Sequence, residues 1–314
     1  NSIFRKLGTR TDFPLDVLEQ AKKATVRFSE KDVKNRRDLT DWTIFTIDGE
    51  TAKDFDDAVS LELTNVGFRL GVHIADVSHY IKRNSALDKE AFERGTSIYF
   101  PSGVIPMLPF EISNDTCSLK PNAKRLTLTA LIDFDREGKV VDSEFFNSIV
   151  KSRIRFTYTE VAHLLKKGDT EKKYNEVIDV LKNMHRLSKI LRKQRFKSGS
   201  VDFQIPEPEI HMNSKGVVEK IIKAQHNEAH ELIEEFMLSA NRAVARHLFE
   251  RKVPFIHRIH KSPNESKIAA FQEFVAGFGL RLHSTDKIRS IDLQNILKKV
   301  HGRPEEKVVN TLLL

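Results

Sequence analysis

The chain of 314 residues holds a single cysteine, Cys117, which excludes an internal disulfide and any zinc site built on thiolates. No apolar run approaches the ~20 residues that a membrane-spanning helix needs, and the opening Asn1-Ser2-Ile3-Phe4-Arg5-Lys6 lacks the apolar core of a signal peptide. Internal repeats, low-complexity tracts and linker-like stretches are missing too, so nothing divides the chain into independent domains. These absences point to a soluble protein of a reducing compartment, cytoplasmic, without a membrane partner and with the monomer as its expected state. What is present suits that class: 39% hydrophobic and 31% charged residues can bury one large core or two modest ones. The chain starts without Met and stops at Leu314 inside an apolar run, which reads as a fragment of a longer protein.

The net charge of +8 makes a polyanionic partner plausible, and its distribution is uneven. Between Lys151 and Ser200 stand 14 Lys and Arg against 5 Asp and Glu, so the excess belongs to this one segment. Such a segment serves either as a solvated helix face or as a phosphate-tracking groove.

Periodicity and turn residues predict helices over 14–24 and from Ser29 to Arg37, then strands at Trp42–Ile47, Ala58–Leu63 and Phe68–Ile74, the last two joined by the turn Asn65-Val66-Gly67. A helix over Ser85–Arg94 precedes a loop over Ile98–Leu108, where Pro101 and Pro106, with Pro109 just beyond, bar a central strand. A second hairpin follows at Leu126–Phe134 and Val140–Phe146, and Lys151–Phe156 extends that sheet. The second half turns helical, over 159–167, 172–197, 227–251, 263–277, 290–301 and 304 to the end, with strands at Val201–Ile210, Val217–Lys223 and Pro254–Ile259. The fold class is therefore α+β, a β-rich domain with mixed or antiparallel sheets flanked by helices.

Within this pattern one stretch is out of place. Asp48, Asp54, Asp56 and Asp57 crowd into ten positions between two apolar strands. Two carboxylates about 5 Å apart at an effective dielectric of ~20 repel by roughly 3 kcal/mol, so a hard cation with oxygen ligands is the natural neutraliser. A calcium loop of the EF-hand type is ruled out, since counting from Asp54 puts Val59 and Asn65 where Gly and Glu are required, and counting from Asp48 puts Lys53 at the glycine position. Catalytic Mg²⁺, a structural cation and a surface acidic loop remain. His226 and His230 share a helix four apart, but Glu228 stands one place too late for a metalloprotease signature, and His257 and His260 lack a visible third ligand.

The string Asp48-Gly49-Glu50-Thr51-Ala52-Lys53-Asp54-Phe55-Asp56-Asp57, with His73-Ile74-Ala75-Asp76-Val77-Ser78, Arg94-Gly95-Thr96-Ser97-Ile98-Tyr99-Phe100-Pro101, Ile105-Pro106-Met107-Leu108-Pro109 and Cys117-Ser118-Leu119, resembles the catalytic domain of the ribonuclease II and ribonuclease R family, closer to ribonuclease R. These are bacterial 3′-to-5′ exoribonucleases, and the likeness runs from about Leu7 to Leu314. The resemblance implies single-stranded RNA as partner, one or two Mg²⁺ ions as cofactor, and nucleoside 5′-monophosphates as product. It implies Asp48, Asp54, Asp56 and Asp57 as the catalytic, metal-holding aspartates, Tyr99 and Phe203 as aromatics that clamp the terminal base, and Glu234 near the 3′-terminal nucleotide. Asn241, seven residues on, projects the same way as Glu234 on one helix. On the residues alone, Phe203 reads as core.

The same resemblance implies residues 1–40 as a lead-in and 41–314 as an incomplete catalytic domain, since the family's Thr-Ser-Pro-Ile-Arg segment, cold-shock domains and S1 domain have no counterpart here. A non-catalytic RNA-binding module of this fold, or a DNA or cyclic-nucleotide phosphodiesterase, would use the same features.

Overall fold

The computed structural model describes residues 8, 10–24, 30–101, 103–168, 174–201, 203, 208–213, 216–259, 264–282 and 288–313. The capping role of Ser29, the beginning of the basic helix at 172–173, positions 202 and 204–207 of the strand expected over Val201–Ile210, and His260 lie outside these residues.

A seven-stranded mixed sheet organises the chain. In order across the sheet stand β1 (Arg37–Asp38), β8 (Val140–Lys151), β7 (Lys124–Asp135), β4 (Gly67–Ala75), β3 (Asp57–Leu63), β2 (Phe45–Asp48) and β9 (Ile154–Thr157). The β3–β4 and β7–β8 hairpins form where the turn residues predict, whereas β1 pairs with β8 and β2 with β9 in parallel.

Alternation along β4 sends Phe68, Leu70 and Val72 to one face, where Phe45, Ile47, Val59, Leu61, Ile132 and Phe134 join them. Three helices cover that face: α5 (Tyr158–Lys167), α6 (Ile178–Lys197) and α7 (Glu228–Glu250), through Val161, Leu181, Met184, Leu232 and Phe236. They are the fifth to seventh α-helices among the described residues, after α1 (Leu15–Ala24), α2 (Glu30–Val33), α3 (Val77–Tyr80) and α4 (Ala86–Arg94). The opposite face packs Ala58, Ala75 and Val150 against Val17 and Ala21 of α1, Leu87 of α4, and Leu108, Ile112 and Leu119. A third apolar cluster joins α8 (Glu265–Ala276), α9 (Ser290–Val300) and α10 (Glu306–Leu313).

The second face carries a buried polar chain across four strands. Ser60 Oγ lies 3.0 Å from His73 Nε2, His73 Nδ1 2.8 Å from Thr129 Oγ1, and Thr129 Oγ1 2.6 Å from Ser148 Oγ. Burial pushes His73 down to about 3, so its ring is neutral. Gly71 is required beside it, because a Cβ there would stand 2.3 Å from Ser60 Oγ.

Three local expectations change. Residues 98–105 form their own ribbon, β5 (Ile98–Phe100) against β6 (Gly103–Ile105), apart from the main sheet as the prolines demand. Val201 and Phe203 are not in a strand; β10 (Pro208–Met212) begins later and pairs with β11 (Val218–Lys223). Pro254–Ile259 is not a strand either. Among the described residues no strand pairs with it, and Ile256 and Ile259 are 98% and 77% exposed, so neither backbone partners nor burial support a strand there.

Candidate active site

The aspartate stretch leaves β2 at Asp48 and re-enters the sheet at Asp57 on β3. Three fastenings hold the loop between them. Ser118 Oγ donates to Lys53 O at 2.8 Å and accepts from Phe55 N at 3.1 Å, while Leu119 N donates to Phe55 O at 2.9 Å. Ala75 N donates to Asp56 O at 2.9 Å. Arg155, on β9, donates through Nη2 to Gly49 O and Glu50 O at 2.5 and 3.1 Å. Phe55, buried in the second face, roots the loop in the core.

The electrostatics are those of unneutralised like charges. Burial first and Asp57 second push the Asp48 carboxyl up to about 7, against the pull of Arg155. Asp57 is raised to about 6 by burial and by Asp56, and Asp56 is raised by burial and by Asp54. Among the described residues, Asp48 Oδ2, Thr46 Oγ1 and Arg155 Nε are three of the four buried side-chain polar atoms without a hydrogen-bond partner. All three belong to the adjacent strands β2 and β9, which run in register from Phe45 opposite Ile154 to Asp48 opposite Thr157.

This donor set fits a hard cation: oxygen donors only, mutually repelling, with one buried carboxylate oxygen unsatisfied. The side chains do not close on a common point, and no three His, Cys, Asp or Glu among the described residues are placed to hold an ion together.

Tyr99, 69% exposed on the β5–β6 ribbon, donates its hydroxyl to Asp54 Oδ2 at 3.0 Å, so the expected stacking aromatic is tethered to an expected metal ligand. Glu234 is exposed on α7 and bonded to His226. Asn241 lines a cleft of about 690 Å³ between α7 and the sheet, with Phe145, Asn147 and Met237. Phe203 is half-buried against the C-terminal helical cluster. The aspartates, Tyr99 and Glu234 thus gather on one side, and the cleft lined by Asn241 is also lined by Ile74, the β4 partner of Asp57.

Two residues beyond these belong to the site. Arg155 is its internal cation. Tyr158, at the first turn of α5, has its hydroxyl pushed up to about 12 by burial and then by Asp48, Asp57 and Glu234, and its ring stacks on His230 of α7. Its position follows from Thr157, which faces Asp48 in register and caps α5 in a reciprocal box with Glu160. The Thr157-x-x-Glu160 spacing is legible in sequence; the partners of Arg155 and Tyr158 are not.

Comparison with known proteins follows the same lines. The family model described as "RNB domain" matches residues 36–314. Ribonuclease R of Thermotoga maritima is 41% identical over 305 residues, covering 96% of this chain and 43% of the relative. The solved structure of Mycoplasma genitalium RNase R in complex with ribose methylated single-stranded RNA superposes with a TM-score of 0.91 at 32% identity, covering 96% of this chain and 48% of that one. The same enzyme in complex with double-stranded RNA gives 0.95 at 31% identity, covering 100% and 56%. The chain thus spans less than half the length of the Thermotoga relative. No helix among the described residues is long and apolar enough to cross a membrane.

Proposed function

This chain belongs to the RNB domain family, and from that footing we propose that it is the catalytic part of a 3′-to-5′ exoribonuclease that hydrolyses single-stranded RNA processively in the cytoplasm. Residues 41–314 form its catalytic domain and 1–40 the lead-in. The observation that carries the reading is the pinned aspartate loop, in which buried, mutually raised carboxyls end in an oxygen without a partner.

Asp48, Asp54, Asp56 and Asp57 would hold Mg²⁺, and one or two such ions, when bound, supply the charge that activates water and stabilises the leaving 3′-oxygen of a phosphodiester. The chain's own residues do the rest. Ser118, Arg155 and the Ala75–Asp56 bond keep the loop in place. Tyr99 offers an exposed ring to the terminal base, and its bond to Asp54 fixes the distance from that base to the carboxylates. Phe203 is the second stacking face, and Glu234 and Asn241 contact the strand. Stacking is worth about 1–3 kcal/mol per base and accepts every base, as a processive enzyme requires.

The rival reading, a non-catalytic RNA-binding module, draws on the carboxylates not closing on a common point. Incubating the full-length protein with 5′-labelled single-stranded RNA and Mg²⁺ separates the two. Release of nucleoside 5′-monophosphates is expected, and Asp56→Asn should cut it by more than about 100-fold, the upper end of what losing an outer-shell metal partner costs. RNA bound without release would favour the module.

A further inference from the structure

Glu234 and His226 are eight residues apart, yet His226 Nε2 donates to Glu234 Oε1 at 2.8 Å. The two would not meet along a continuous helix, where eight residues rise about 12 Å. They meet because α7 starts only at Glu228: Asn227 caps it, accepting from the backbone N–H of Ala229 and His230, and the chain ahead of the cap folds back along the first two turns.

A row of three rings fixes that fold-back. Tyr158 stacks on His230 with ring centroids 3.9 Å apart and planes 17° from parallel, and His226 follows His230 at 5.3 Å. His230 is locked from a second side, its Nδ1 2.9 Å from Asn227 Oδ1 and 3.3 Å from the Asn227 backbone N. The row therefore starts beside the aspartates, at Tyr158, and ends on the Glu234 carboxylate. Oε2 of Glu234 has no protein partner among the described residues.

From this arrangement we propose that His226 is a positioning residue for Glu234, occupying Oε1 so that the carboxylate is held in one orientation with Oε2 left for the bound strand. The proposal rests on the exoribonuclease reading. Both side chains are about half exposed, so their pairing contributes little to stability, and its effect is the loss of rotational freedom in a group that meets substrate. Among the described residues the partners of His226 are Glu234 and His230, not the aspartates.

A double-mutant cycle on the full-length protein tests this, with kcat and KM for nucleotide release, RNA affinity by fluorescence anisotropy, and the melting temperature as readouts. His226→Ala should weaken kcat/KM by about 5–10-fold with the melting temperature unchanged, while His226→Gln, whose amide N–H also donates, should recover most of the loss. In a Glu234→Ala background His226→Ala should cost nothing further, since coupled pairs are non-additive. Wild-type kinetics in His226→Ala, or an undiminished penalty without Glu234, would overturn the proposal. A wild type that releases no nucleotides would defeat the enzymatic reading instead, and the same cycle read in RNA affinity would then decide this one.

Discussion

Asp48 and His73 titrate in opposite senses and can be told apart. Asp48 and Asp57, raised to about 7 and about 6, bind protons in the folded state that the unfolded chain, near 3.9, has already released. Their effect is absent below about pH 4 and destabilises increasingly as pH rises to about 7. His73, depressed to about 3, does the reverse: its contribution is present above the unfolded value near 6.5 and is lost as pH falls. In chelator, Asp48→Asn should therefore melt a few degrees above wild type at pH 8 and alongside it at pH 4. Added Mg²⁺ should remove the gain at pH 8, because the ion takes the place of the proton. Equal melting at both pH values would mean that Asp48 is not electrostatically strained. At this scale the aspartates were legible because four like charges between apolar strands have a local signature. Arg155, Tyr158 and Ser118 have none, since what makes each matter is a partner some 65 to 110 residues away. Phe203 shows the limit from the other side: its half-buried place against the C-terminal cluster is what its residue type suggests, and its base-clamp role comes from the family resemblance alone.

Among the elements, β2 and β3 present the aspartates, and β3 is registered against β4 by the buried polar chain behind them. Gly71→Ala should force Ser60 and His73 aside, at about 1–3 kcal/mol for overpacking, which is several degrees of melting temperature for a chain of this size. A melting curve without such a loss would mean that the strands can move apart freely. Hairpins were readable because Asn65-Val66-Gly67 and Arg136-Glu137-Gly138 sit between alternating runs. The parallel pairing of β2 with β9 was not, because a crossover of more than a hundred residues leaves no trace at either end. The segment from Pro254 to Ile259 erred in the other direction: it has strand-like composition without a strand to meet.

For the molecule as a whole, the basic segment does not act as one surface. Arg192 and Arg195 of α6 face Glu231 and Glu235 of α7, and Arg155 faces the aspartate loop, so part of the excess charge holds the helices and the site together. Lys189 and Lys193 are among the basic residues exposed on α6, and we propose them as phosphate contacts. Replacing both with Ala should lower the salt dependence of RNA binding by about 1.4 in the slope of log K against log salt, with single-stranded RNA losing two contacts. An unchanged slope would assign this helix face to solvent. Composition and pI announced the charge, but only the packing of α6 on α7 shows how it is divided.

The pairing of β2 with β9 also sets an order in time. All four aspartates have been synthesised by residue 57, while the strand carrying Arg155 and the turn carrying Tyr158 come roughly a hundred residues later. At about 5–20 residues per second the ribosome needs some 5–20 s to cover that distance. During that interval the aspartate loop has no internal cation and no second wall, and β2 is still an open edge. The candidate site is therefore completed by its latest strand and helix, however early its carboxylates are made.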